Sequence, residues 1–361
     1  MSPRLHTPIP FDAHISDLVT GFSIPSIVFT MLILGAYAWT AWNPVSRPHL
    51  NRVSFRLLVY ALVANLAYGV GMIGGMNLKA GAACNGIVFL QNMCLTFAGV
   101  MFFSMALNLQ LVLVHGVNGQ KMEKYYVLGA VLLTLACNVP PYAVGAFGFW
   151  EFNQTCWFNS PTSTVQLRWF VGTQAFWLIL MATCEVISFF SIVGFMIFRH
   201  RVRSVMSEST LSTLSQPPLP KPPILLYRKM ILRIGLYPLV SCFLNISGAM
   251  LDLHIILYPT WTETNWRLAI VDLLIYVLRP LVYATLAATD PSFLRALHAL
   301  RPRSEPQSDP ADPTRIHVTL SDNTWFSGAT TSMGTESSLQ SKEEGSATVG
   351  EGSLLEFTCQ I

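Results

Sequence analysis

The sequence predicts an all-α membrane protein: a seven-transmembrane helix bundle with its N-terminus outside and its C-terminus inside. Three observations predict it. Seven long apolar stretches run through the first 290 residues. Charged residues make up 11% of the 361-residue chain, against the roughly 25% usual in soluble domains. The basic residues between the stretches fall almost entirely in alternate gaps. A hydrocarbon core of ~30 Å needs ~20 apolar residues for each helical crossing. Closed barrels are the only other architecture that satisfies its own backbone in lipid, and these runs are far too long for barrel strands.

The first span reads Leu18 to Trp42, with no charge between Asp17 and Arg47. It follows 17 polar or mixed residues and is longer than a signal h-region, so it is expected to remain as an uncleaved crossing. The second span is about Leu57 to Asn77 and the third about Cys84 to His115. The fourth runs from Tyr125 to Gly148, the fifth from Trp169 to Phe198, the sixth from Met230 to Leu257 and the seventh from Trp266 to Thr289.

Lys and Arg in the short gaps set the orientation. One set of gaps holds Arg47, Arg52 and Arg56, then Lys121 and Lys124, then Arg199, Arg201, Arg203, Lys221, Arg228 and Lys229. The other set holds Lys79 and Arg168, with Arg267 just inside the seventh span. The rich side is cytoplasmic by the positive-inside rule. This bias accounts for the net charge of +3, so the charge does not point to nucleic acid.

The chain then divides into a short extracellular N-terminus (1–17), the bundle (18–289), a membrane-surface helix (290–301) and a cytoplasmic tail (302–361). Seventeen residues without cysteine cannot build a ligand-binding ectodomain. Recognition therefore falls to the helices and outer loops, which favours a small molecule or a short peptide. The longest outer loop carries the glycosylation acceptor Asn153-Gln154-Thr155. The third inner loop extends the fifth helix as a basic collar, passes through a Ser/Thr-rich stretch and ends in a polyproline spacer, Pro217 to Pro223. After the seventh span, Asp290 suits an N-cap and Pro291 a first helical position. Phe293, Leu294, Leu297 and Leu300 then fall on one face, with Arg295 and His298 on the other, as in a helix lying on the inner membrane surface. The tail beyond Pro302 is rich in Ser, Thr, Gly, Pro and Glu and is expected to be disordered, with hydroxyls open to phosphorylation.

Cys84 opens the third span on the outer side and Cys156 sits in the second outer loop. Both face an oxidising compartment, so a disulfide between them is expected. Ionisable residues inside spans are costly and mark functional positions. Among those within the spans are Glu185, Asp252, His254, Asp272 and Arg279, the last two sharing a face two turns apart. Internal hydrogen bonding between helices is the competing reading. It prevails for most of the amides, among them Asn92, Asn138, Gln174 and Asn245. It stays open for Glu185, Asp272 and Arg279. Pro25, Pro140-Pro141, Pro238 and Pro280 should kink their spans, and a bend at Pro238 would make the sixth helix a hinge.

Together these features resemble the G-protein-coupled receptor superfamily. Within it the chain is similar to the fungal receptors grouped with the slime-mould cyclic-AMP receptors and the secretin-like class. The resemblance rests on Cys156-Trp157, on Arg52-Val53-Ser54-Phe55-Arg56 at the second span and on the Asn108-to-His115 run closing the third. Pro238 and the Pro280-Leu281-Val282-Tyr283 run add to it. It covers about Leu18 to Arg301 and departs from rhodopsin-like receptors in two places. No Asp-Arg-Tyr triplet closes the third helix, and Arg279 stands before the seventh-helix proline where those receptors carry Asn.

The resemblance implies a plasma-membrane receptor that senses an extracellular ligand and engages a heterotrimeric G protein, with surrounding lipid as its other partner. Ligand-binding candidates are Lys79, Arg168, Asp252, His254, Arg267 and Asp272. Asn65, Asn108, Glu185 and Arg279 are candidates for a polar core switch. Arg199, Arg201, Arg203, Arg228, Lys229 and Arg233 would face the G protein. No enzymatic activity, cofactor or metal is expected. A retinal protein needs a lysine in the seventh helix, which has none. A zinc hydrolase needs ligands converging at one depth, and His115 and His254 lie at opposite ends. A small-solute carrier lined by Asp272 and Arg279 is the alternative.

Overall fold

The computed structural model describes residues 12–50, 52–76, 78–150, 155–210, 224–258, 260 and 262–300. Its elements are α1 (Asp12–Trp42), α2 (Arg47–Leu50), α3 (Val53–Met76), α4 (Ala82–His115) and α5 (Gly119–Ala143). A hairpin of β1 (Phe147–Trp150) and β2 (Thr155–Phe158) follows. Then come α6 (Ser163–Phe170), a π turn (Val171–Ala175), α7 (Phe176–Thr210), α8 (Ile224–Leu257), α9 (Glu263–Ala288) and α10 (Pro291–Ala299). Seven helical stretches are long and apolar enough to cross a membrane, with α6 and α7 forming one stretch through the π turn. Large apolar side chains cover the outside of the bundle: Trp39, Leu32, Phe190 and Phe243 are all more than 60% exposed. Water would not tolerate so continuous an apolar surface, whereas hydrocarbon is its natural solvent. This architecture fits a multi-pass membrane protein.

Several boundaries differ from the sequence expectation. α1 begins at Asp12, ahead of the apolar run. α3 begins at Val53 rather than Leu57. α5 begins at Gly119, where the Asn118 side chain accepts a hydrogen bond from the Gln120 N–H. It ends at Ala143, just after Pro140 and Pro141, which carry no N–H to continue the ladder. Gly145, at φ 71°, then turns the chain into β1, so the residues expected at the end of the fourth span form a strand. α8 and α9 run on as helix through Pro238 and Pro280.

The hairpin pairs Phe147 with Phe158 and Trp150 with Thr155 in antiparallel register. A disulfide from Cys84, at the start of α4, to Cys156 in β2 pins it over one end of the bundle, with the two Cα atoms 5.4 Å apart. α10 lies at the opposite end. Asp290 caps it, accepting from the N–H groups of Ser292 and Phe293. The expected apolar face is divided: Phe293 is buried edge-on against Tyr37 at 4.3 Å, while Leu297 is exposed. At that end an ion pair joins Arg56 of α3 to Glu123 of α5.

α3 and α4 make a close helix pair. Gly71 and Gly75 leave room for the Gln91 side chain, and a Cβ at Gly71 would stand 2.9 Å from it. α1 is tied to α9 by Tyr37, whose hydroxyl donates to the Ala287 carbonyl at 2.6 Å. Residues 1–11 and 301–361, and with them the expected tail, lie outside the described residues.

Candidate functional site

A cavity of about 70 Å³ lies beneath the hairpin, inside the bundle. Its roof is Thr155, Cys156 and Trp157 of β2, so the disulfide holds the lid. Gln91 and Asn92 of α4 and Gln174 of the π turn form part of the wall. The rest includes Asp252 of α8 with Asp272 and Tyr276 of α9. All six of these polar residues are buried. The π turn widens the helix by one residue, and it is at this turn that Gln174 meets the cavity.

Asp252 and Asp272 face each other within hydrogen-bonding range. The Tyr276 hydroxyl donates to Asp252 Oδ2 at 2.6 Å. Two acceptors in this wall meet no hydrogen-bond partner, Asp272 Oδ1 and Gln174 Oε1. Among the described residues, Arg279 is the one buried lysine or arginine. Its guanidinium lies 5.6 Å from the Tyr276 ring centre and donates to Asn245 Oδ1. Asn245 in turn donates to the Ser241 hydroxyl at 3.1 Å. Ser241 lies near Tyr283 of α9 and near Glu185 of α7, whose two buried carboxyl oxygens meet no hydrogen-bond partner.

A ladder of polar groups therefore descends from the cavity along α8 and α9. From Asp252 to Ser241 it covers about 16 Å at the helical rise per residue. Below it, Tyr283 stacks on Phe102 of α4 at 4.1 Å, and Phe102 stacks more loosely on Tyr237 at 6.5 Å. Tyr237 adjoins Pro238. Here the Phe189 ring of α7 lies over Gly235 so closely that no Cβ could be accommodated without a shift. The ladder thus ends where α8 lacks a backbone donor.

Of the six ligand candidates, the cavity wall includes Asp252 and Asp272. Lys79 and Arg168 are exposed around the hairpin end of the bundle. His254 is half-buried with its ring 5.2 Å from that of Tyr258. Arg267 pairs with Glu263 one turn earlier on the exposed face of α9. Of the four switch candidates, Glu185 and Arg279 belong to the ladder. Asn65 bonds within its own helix to the Ala61 carbonyl, and Asn108 reaches Ser54 of α3 at 3.4 Å. Arg201 is exposed on α7. The side chains of Arg199, Arg203, Arg228, Lys229 and Arg233, and the whole of Asn153, lie outside the described residues.

Asn92, Gln174 and Asn245, which the sequence suggests are internal glue, belong to the candidate site. Tyr276 and Ser241 carried no signal beyond being polar groups in an apolar span. Among the described residues there is no cluster of three His, Cys, Asp or Glu side chains able to hold a metal ion. No protein-family model and no curated protein matches the chain.

Proposed function

We propose that the chain is a G-protein-coupled receptor of the plasma membrane, with the hairpin end outside and α10 on the cytoplasmic side. The observation that carries this reading is the ladder: a cavity under a disulfide-held lid, joined by buried polar contacts to the Pro238 segment of α8. A ligand that binds one arrangement of the cavity better than another shifts a two-state bundle toward it. Asp252, Asn245 and Ser241 lie on α8 itself, so their partners bias that helix directly. Outward movement of its far half would expose the collar from Arg199 to Arg203 on α7 and Arg228 to Arg233 on α8 to a heterotrimeric G protein. The cavity volume favours a small ligand or the head group of a larger one, and glycosylation at Asn153 belongs to the same orientation.

Gα-coupled signalling in a yeast reporter strain tests the reading, screened against cyclic nucleotides, sugars, amino acids, amines and lipids. The expected result is a ligand-dependent response lost in Cys84→Ser and in an Arg201→Glu/Arg203→Glu double variant. A response that survives the double variant removes the collar from the mechanism. One observation favours a carrier instead: Asp252, Asp272, Arg279 and Glu185 string ionisable groups along the bundle. Uptake of labelled solute into proteoliposomes that depends on Asp272, with no nucleotide exchange on any Gα, would replace the receptor with that reading.

A further inference from the structure

A groove of about 340 Å³ lies on the outside of the bundle, where α4, α5 and α7 meet. It is bounded by Val100 to Leu107 of α4, Tyr125 to Leu133 of α5 and Trp177 to Cys184 of α7. It shares no residue with the cavity under the hairpin. Its rim is open: Tyr125 is 58% exposed, Leu180 is 40% exposed, and Gly129 is exposed as well. Apart from Ser104 and the tyrosine hydroxyls its lining is apolar or aromatic. On the outer face of a membrane bundle such a space meets acyl chains rather than water. Left empty, its walls would forfeit their dispersion contacts, so hydrocarbon fills it.

Gly129 helps to make the space. A Cβ there would meet no atom within 4 Å, whereas a Cβ at Gly71 of α3 would press on Gln91. Glycine weakens a helix interior. At Gly71 it admits a neighbouring side chain; at Gly129 no part of the protein uses the room it leaves.

The groove has a charged end. Lys121, Tyr125, Gly129 and Leu133 recur at every fourth residue of α5 and so lie along one stripe. At the helical rise per residue the groove takes up about 12 Å of that stripe, and Lys121 stands about 6 Å beyond its Tyr125 end. Lys124 holds its Nζ 5.4 Å from the Tyr125 ring centre. Both lysines are exposed. Among the described residues neither forms an ion pair, and the adjacent Glu123 is engaged by Arg56. Lys121 also lies in the first turn of α5, at the end of a helix that favours an anion over a cation. Positive-inside bias accounts for lysines at this end of the bundle. It does not account for a pair at the foot of an apolar groove.

We propose that this groove is a binding site for one anionic glycerophospholipid. An acyl chain fills the space along Gly129 and Leu133, and the phosphate is met by Lys121 and Lys124. Lysine stems are long enough to carry the ammonium to head-group level while their aliphatic part stays on the apolar face. Lysines beside a membrane span attract anionic lipid heads. A sterol would also fill the groove, but its neutral hydroxyl gives the two cations nothing to pair with. The proposal uses the membrane reading alone and stands whether or not the chain couples to a G protein.

Native mass spectrometry of the purified full chain, released from detergent micelles, tests it by counting bound lipid. Palmitoyl-oleoyl phosphatidylserine is titrated against phosphatidylcholine with the same chains, with cholesterol and oleate as competitors. One phosphatidylserine is expected to bind about 10- to 30-fold more tightly than phosphatidylcholine, from about fivefold for each lysine. Lys121→Gln/Lys124→Gln should remove that ratio and leave the weaker phosphatidylcholine binding in place. Gly129→Trp fills the groove from a position with free space around it and should weaken both lipids at least about tenfold. Phosphatidylserine with a diazirine on its acyl chain should cross-link to the α5 segment around Gly129 and the α7 segment from Trp177 to Cys184. Near-ultraviolet circular dichroism and a Cys84–Cys156 disulfide assay establish that each variant is folded, and the exposed lysine pair keeps the test open should Gly129→Trp not fold. Equal affinity for the two phospholipids overturns the proposal, as does unchanged affinity in either folded variant. So do cross-links elsewhere, or cholesterol or oleate displacing the lipid as well as phosphatidylserine does. A dimer that dissociates in Gly129→Trp, with no lipid bound in the wild type, would assign the groove to a second copy of the chain and overturn it too.

Discussion

Tyr276→Phe removes one oxygen atom and tests the electrostatic state of the cavity. The Tyr276 hydroxyl donates to Asp252 Oδ2 at 2.6 Å, and both residues are buried. A hydrogen bond to a charged acceptor contributes about 1.5–3 kcal/mol, against about 0.5–1.5 kcal/mol for a neutral pair. Tyr37→Phe supplies the reference, since that hydroxyl donates to the neutral Ala287 carbonyl at the same 2.6 Å and the residue is also buried. Tyr276→Phe should therefore lower the folded-to-unfolded ratio by about 10- to 100-fold, and Tyr37→Phe by about 2- to 10-fold. The cavity beside Tyr276 can admit a water in place of the lost hydroxyl, which sets the lower end of the first range. Steric trapping in nanodiscs measures both variants on one scale. A double-mutant cycle with Asp252→Asn isolates the pair, and a coupling above about 1 kcal/mol is expected. A cost for Tyr276→Phe no larger than for Tyr37→Phe, with coupling near zero, would refute a charge-assisted hydrogen bond between Tyr276 and Asp252.

Reducing the Cys84–Cys156 bond frees a loop with a sequence separation of 72 residues, and chain entropy puts the upper limit of its contribution near ~4 kcal/mol; Cys84→Ser should lower the unfolding temperature and abolish the thermal difference between oxidised and reduced samples. Gly235→Ala places a Cβ inside the Phe189 ring, so a loss of about 1–3 kcal/mol is expected, recovered in large part by Phe189→Ala in the same chain. At Asp290, burial raises the carboxyl above its ordinary range, opposed by the N–H groups of Ser292 and Phe293. A raised acid loses its stabilising contribution as pH rises through its folded value, so stability of wild type relative to Asp290→Asn should fall from acidic to neutral pH. Asp290→Ala should cost about 1 kcal/mol through the lost cap, read in the same pH series by hydrogen exchange of α10.

The spans were legible because hydrocarbon imposes a length and a composition that few other constraints mimic. The Cys84–Cys156 pairing was legible because topology put both thiols on one side. The hairpin was not. Each strand is four residues long, and its Phe and Trp residues read equally well as the edge of an apolar span. Within the cavity, Asp252 and Asp272 could be singled out because carboxylates inside spans are rare. That they meet each other, and that Tyr276 and Gln174 join them, depends on the rotation of α8 against α9 and of the π turn against both. Rotation of this kind is set by packing, and no local pattern encodes it. Lys79, Arg168, His254 and Arg267 stand out in the sequence as basic side chains at the depth of the outer mouth, and neither charge nor depth says whether a side chain points into the bundle or away from it.

The π turn from Val171 to Ala175 has a consequence for numbering along its helix. One surplus residue in a helix shifts the angular phase of everything on one side by about 100° relative to the other. Deleting a single residue there would shorten the element by hardly more than an ångström, yet it would swing α6, with its buried Gln166 and Phe170, out of step with α7. When this chain is aligned with another seven-helix protein that has an unbroken fifth span, a one-residue gap therefore belongs at this turn. Without the gap, the residues on one side of the turn are matched about 100° out of phase, and the wall of the cavity that Gln174 helps to form is compared with the wrong face.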